Sequence, residues 1–141
     1  MEQVQTNRTI LSAGCIIAGM LLEDENVAKL IGGKVVAQLT DEIDLPFVVY
    51  RRRRLVQDPT KARFGQPCDT AEISVMCLSE TPDESLEIAE AVREALDMKT
   101  GEWTDPASGQ TIRMRSCILT DANEDGGDDA YGNELIFTIK I

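Results

Sequence analysis

Polar and apolar positions trade places with a period of two along Ala71-Glu72-Ile73-Ser74-Val75-Met76-Cys77-Leu78. A strand with this pattern carries Ile73, Val75 and Cys77 on one side and Glu72 and Ser74 on the other. The period then lengthens to that of a helix. Leu86, Ala89, Val92 and Leu96 recur at helical spacing, and Ile88 and Ala95 widen the stripe toward about a third of the circumference. Thr81 is placed to cap the helix, Pro82 fits its first position, and Glu84 completes a capping box. Glu80, Asp83, Glu84, Glu87 and Glu90 crowd the first two turns, where the helix dipole favours negative charge. The pattern predicts one long helix over 82–98, with Gly101 the first residue suited to end it.

Before this unit, 10–22 reads as a helix capped by Thr9 and carrying two apolar stripes. Leu11, Cys15, Ala18 and Leu22 form one; Ile10, Ala13, Ile17 and Met20 or Leu21 form the other. Gly14 and Gly19 leave room for another element to approach. A helix apolar nearly all round is either sandwiched in its own domain or covered by a partner subunit. Asp24-Glu25-Asn26 caps a short helix over 27–31 that Gly32-Gly33 terminates. A brief strand over 34–39, an acidic turn over 41–44 and a long strand over 45–56 follow, with Pro46 at the start of the last. Residues 57–67 and 98–109 read as loops, the second containing Trp103. Alternation resumes over 111–120, with Ile112, Met114 and Ile118 inward and Arg113 and Arg115 outward. Residues 121–132 read as a loop and 134–141 as a closing strand with Leu135, Phe137, Ile139 and Ile141 on one face.

Strands thus cluster before and after a single long helix instead of alternating with helices. The predicted class is α+β: a largely antiparallel sheet of about five strands, with the long helix (82–98) and an N-terminal helix pair packed against it. A loose N-terminus over 1–8 and a single domain over 9–141 are expected from the length of 141 residues.

Composition removes several kinds of chemistry. The chain has no His, so Ser-His, Cys-His and His-metal sites are all impossible. Cys15, Cys68, Cys77 and Cys117 are scattered without C-x-x-C spacing, and nothing marks Cys68 or Cys77 as an activated thiolate. They read as small apolar side chains in a reduced, cytoplasmic chain. The apolar run at 10–22 is too short to span a membrane and lacks a cleavage site, so no membrane partner is expected. With 4% aromatic residues the core must be aliphatic. No catalytic residue and no cofactor are read from the residues. Twenty-five acidic against fourteen basic side chains give a net charge of -11, which repels free nucleic acid in general.

Three local features stand out against that background. Asp121, Asn123 and Asp125, followed by Gly126 and Asp129, fit the first half of a calcium loop. Gly132 stands where the chelating Glu belongs, and the same residues suit a solvated turn. Arg51, Arg52, Arg53 and Arg54 form a basic run inside a predicted strand. Alternation there puts Arg51 and Arg53 on one face and Arg52 and Arg54 on the other, so at least one pair must meet solvent or carboxylates. Such a run reads as a solvated strand end that discourages aggregation, or as a contact with acidic surfaces of a neighbouring subunit. Nucleic-acid contact lacks the aromatic stacking platform that usually accompanies it. Trp103 is a candidate interface anchor or a cap on the open end of the sheet.

Three stretches together resemble a known family. The first is Leu21-Leu22-Glu23-Asp24 with Val27 and Leu30-Ile31-Gly32-Gly33-Lys34-Val35. The second is Leu45-Pro46-Phe47-Val48-Val49-Tyr50-Arg51, and the third is Ala89-Glu90-Ala91-Val92-Arg93-Glu94-Ala95-Leu96. In this order and spacing they look like the tail completion, or tail terminator-like, proteins of long-tailed bacteriophages and prophages. The resemblance covers about 10–141. It implies an α+β fold and a non-enzymatic virion assembly role. It further implies a homo-oligomer, typically a six-fold ring, at the neck-proximal end of the tail tube. The implied partners are the tail tube protein and neck or head-closure proteins, without membrane or sequence-specific nucleic acid. The implied location is the virion tail, reached from the bacterial cytoplasm during assembly. The four-arginine run is denser than the family pattern, and the acidic cluster at 121–129 is unusual for it. Another head–tail neck component and a small acidic binding module are the alternative readings.

Overall fold

The computed structural model describes residues 10–37, 43–57, 69–126 and 129–141. One turn of 3-10 helix (Ile10–Ser12) leads into α1 (Ala13–Glu23), and α2 (Glu25–Ile31) follows directly. Asp24 makes the corner. Its carboxylate accepts from the Val27 amide at 3.0 Å, satisfying one of the donors that the start of α2 leaves free. Gly32, at φ 64° in the left-handed region, closes α2. The strands β1 (Val35–Val36), β2 (Phe47–Val56) and β3 (Thr70–Ser79) precede the long helix α3 (Pro82–Leu96). After it come β4 (Gly101–Thr104), β5 (Thr111–Met114), β6 (Ser116–Gly126) and β7 (Tyr131–Lys140). Thr9 and Cys68 lie outside the described residues.

The main sheet has five strands in the order β1-β2-β3-β7-β6, and β4 pairs with β5 in a separate hairpin. Among the described residues only the β1–β2 pair is parallel. The predicted α+β class, its helix pair and its largely antiparallel sheet are therefore present.

The core lies between one face of the sheet and the helices. Ile73, Val75 and Cys77 of β3 and Leu135, Phe137 and Ile139 of β7 bury against Ile88, Ala89, Val92 and Leu96 of α3. The Thr81 cap forms as predicted, its hydroxyl accepting from the Glu84 amide at 3.2 Å. The line of burial differs. Leu86 is 47% exposed, and Ser85 occupies the buried position beside Ile88. Ser85 is tolerated there because its hydroxyl donates to the Cys77 carbonyl at 2.9 Å and accepts from the Asn133 amide at 2.9 Å. The helix also stops at Leu96 rather than 98. Beyond it the chain is captured by β6: the Met98 amide donates to the Cys117 carbonyl, and the Asp97 carboxylate accepts from the Leu119 amide.

In α1 only one of the two apolar stripes is covered. Ile10, Ala13, Ile16, Ile17 and Leu21 are buried, whereas Leu11 and Leu22 are 58% and 51% exposed. Gly14 is a point of close approach, since a Cβ there would lie 3.1 Å from the Tyr50 ring of β2. Gly19 has open space beside it. Downstream, the predicted loop at 98–109 contains β4, which packs with β5 against α1. The single strand expected over 111–120 is broken at Arg115, whose amide donates to the Lys140 carbonyl. The break resets the alternation, so Cys117 is buried and Ile118 is 42% exposed. The expected loop at 121–132 is largely strand, because β7 supplies a ladder partner for β6 through Gly126.

Candidate subunit interface

Arg51, Arg52, Arg53 and Arg54 sit on β2, and all four are exposed. Two residues facing each other across an antiparallel ladder share a face of the sheet. Arg52 pairs with Ile73 and so lies on the helix side, where its guanidinium donates to the Leu11 carbonyl at 3.2 Å. Arg51 pairs with Ser74 and Arg54 with Glu72, and the register slips between Arg52 and Arg54. Arg53 is the extra residue of a β-bulge. Strict alternation therefore fails here: Arg51 and Arg54 are the pair sharing the outer face, instead of Arg51 with Arg53. Among the described residues, the side chains of Arg51, Arg53 and Arg54 have no hydrogen bond or ion pair. These guanidiniums lie close together on one short strand, with Glu72 opposite Arg54; like charges so placed repel one another, and an anionic surface relieves that repulsion.

Part of β2 is an open edge. β1 covers it only at Val48 and Val49, with one further bond from the Val48 amide to the Lys34 carbonyl. Among the described residues, the half from Arg51 to Val56 has a ladder partner only on its β3 side. At the other margin of the sheet, β6 is covered where the chain leaving α3 bonds Cys117 and Leu119, as described above. Asp121, Ala122, Asn123, Glu124, Asp125 and Gly126 are exposed and, among the described residues, pair only with β7. Among the described residues the sheet thus ends in a basic open half-edge on one side and an acidic open half-edge on the other. The sequence gives the two charge runs but no sign that both are edges. That depends on how short β1 is and where the chain after α3 lands.

The acidic positions do not form a loop around a cation. Asp121, Asn123 and Asp125 are alternate residues of one extended strand, which spaces them about 7 Å apart. Calcium needs its oxygens gathered at roughly 2.3–2.6 Å from one point. Asp129 falls beyond 127–128, outside the continuous strand. Among the described residues there is no group of three or more Cys, Asp or Glu able to hold a metal ion.

Trp103 is half-buried on β4 opposite Ile112 and packs against the edge of the core. It lines an open groove of about 660 Å³ together with Gly19, Met20, Glu23 and Gly101. The structure does not bring Trp103 together with the arginines: they occupy separate sheets. The thiols are equally inert. Burial pushes Cys77 up to about 12, and burial aided by the Asp97 carboxylate does the same to Cys117. Both are held in the unreactive protonated form. Burial, with a smaller effect from Cys15, also raises Tyr50.

An α+β domain whose distinctive surfaces are charged strand margins and an uncovered helix stripe belongs to the class that acts by assembling. The family model described as tail completion protein gp17 matches residues 17–127. That is most of the chain, and the protein belongs to this family. It is a structural component in the assembly of phage tails, found in the virion tail. Among solved structures, a chain in the virion of a native gene transfer agent particle has the same fold, with a TM-score of 0.69. The two chains are 16% identical, and the match covers 94% of this chain and 98% of that one. No curated protein matches the sequence. No described helix is long and apolar enough to cross a membrane.

Proposed function

We propose that this chain is the subunit of a ring, six-fold when assembled, that completes the tail tube at its neck-proximal end. The observation that carries the proposal is the family match over residues 17–127. The ring halts tube growth and presents a surface to neck or head-closure proteins. Its action is structural, without catalysis or cofactor, and assembly takes place in the bacterial cytoplasm. Residues 9–141 act as one domain, with 1–8 outside it.

Neighbouring copies meet through two different surfaces, as every head-to-tail ring requires. Arg51, Arg52, Arg53 and Arg54 supply one of them, and Trp103 borders a second. The uncovered stripe of α1, Leu11 and Leu22, gives apolar area that a neighbour or tube subunit can bury. Deleting the gene and imaging the particles tests the reading. Tails of irregular length, restored to uniform length by the wild-type gene, are expected. Tails of normal length that fail to join heads would assign the chain to the neck instead.

A further inference from the structure

We propose that copies of this chain join through an antiparallel strand ladder, the arginine half of β2 on one copy pairing with the acidic half of β6 on the next. The inference rests on the assembly reading above for its partner, a second copy, and adds the contact and its register. An open strand edge presents unpaired amides and carbonyls, and a strand from another chain is the partner that satisfies them in order.

Direction comes first. β2 runs antiparallel to β3, β3 to β7, and β7 to β6, so β2 and β6 run in opposite directions. Two copies laid side by side in the same sense therefore offer each other an antiparallel pair.

Register follows from the ladder. Arg51, Ser74, Ile136 and Asp121 lie on one level across the sheet. On that level the open half of β2 faces the covered half of β6, and the reverse. Sliding one copy by about four residues, roughly 14 Å along the strands, removes the conflict. Arg51 then meets Asp125 and Arg52 meets Glu124, while β1 moves past the end of β6. Each copy adds four columns, β2, β3, β7 and β6, with β1 sharing the column of the neighbour's β6, and so advances the sheet about 19 Å. Closing such a staggered sheet on itself tilts the strands roughly 35° from the ring axis, in the range of closed barrels.

Charge selects this pairing over the alternatives. Two basic halves, or two acidic halves, place like charges directly opposite one another, which is unfavourable. A two-fold dimer through either edge is disfavoured by that repulsion, and the head-to-tail contact is favoured.

Cysteine pairs read the contact directly. Full-length Arg51→Cys and Asp125→Cys chains are mixed, oxidised and mapped by peptide mass spectrometry. The expected product is a linkage between positions 51 and 125, enriched about tenfold over a control pair of Arg51→Cys with Ser108→Cys. That factor corresponds to about 1.4 kcal/mol. Combining Arg51→Asp with Asp125→Arg in one chain is expected to restore an assembly that either reversal alone weakens. Linkage no greater than the control, or only between like positions, overturns the ladder. Rings seen on tails whose chains give no 51–125 linkage would leave the ring standing and remove the ladder. The linkage in particles that lack rings would do the opposite.

Discussion

Ser85 shows how much one polar atom decides. The spacing of Leu86, Ala89, Val92 and Leu96 is compatible with a buried stripe, and so is that of Ser85, Ile88, Ala89, Val92 and Leu96. Hydrophobicity alone favours the first. The second is the real one because the Cys77 carbonyl and the Asn133 amide satisfy the serine, which sequence cannot reveal. Two substitutions separate the stripes. Val92→Asp places an unpaired charge at a fully buried site, at a cost of several kcal/mol against a total of about 5–15. It is expected to abolish cooperative melting, whereas Leu86→Asp should stay within about 0.5 kcal/mol of wild type. Met98 lies at φ 62° with its side chain 80% exposed, a backbone position that favours glycine. Met98→Gly is expected to stabilise by about 1 kcal/mol, raising Tm by roughly 4 °C. The buried thiols carry a pH signature. Their folded values lie above the ordinary 9.0, so the protonated form is the one folding favours. Their contribution is intact below pH 9 and is lost as pH rises toward 12, at up to about 1.4 kcal/mol per unit for each thiol. Urea titrations at pH 9 and 11 should show a shallower decline for Cys77→Val than for wild type.

At the scale of elements, periodicity located β3, α3 and β7 because each buries one face and keeps a single register throughout. β2 and β6 escaped it for a common reason: both change phase. A bulge at Arg53 and another irregularity between Leu119 and Asp121 shift the pairing. Almost any residue can host such an event, so no composition announces it. The acidic half of β6 was hidden further by its Asn, Asp and Gly content, which signals a turn in isolation and is overruled here by the β7 ladder. This extended geometry bears on calcium. Titration calorimetry is expected to give no site tighter than the millimolar range. A micromolar site abolished by Asp121→Ala would show that the strand rearranges around the ion.

For the whole molecule, the net charge of -11 conceals a division. Charge counts and the Arg51–Arg54 run are plain in the sequence; that they lie at opposite margins of one sheet emerges only from the strand order. Arg51→Glu with Arg54→Glu reverses the outer-face pair. Glu at position 54 faces Glu72 across the ladder, which costs roughly 0.2–1 kcal/mol. The variant is therefore expected to melt a few degrees below wild type, still cooperatively, and to assemble poorly. Sedimentation at rising salt should show the wild-type oligomer weakening, as expected of exposed charges screened beyond about 10 Å at 0.1 M. In the proposed ladder, a subunit with one basic and one acidic margin behaves as a bifunctional monomer with unlike ends. An open string of such monomers always has one free end of each kind, however long it grows. A copy with only its basic margin spoiled can still attach by the other and then accept nothing further. It acts as a chain stopper, so a small fraction of the doubly reversed variant mixed with wild type should poison assembly far beyond its own proportion.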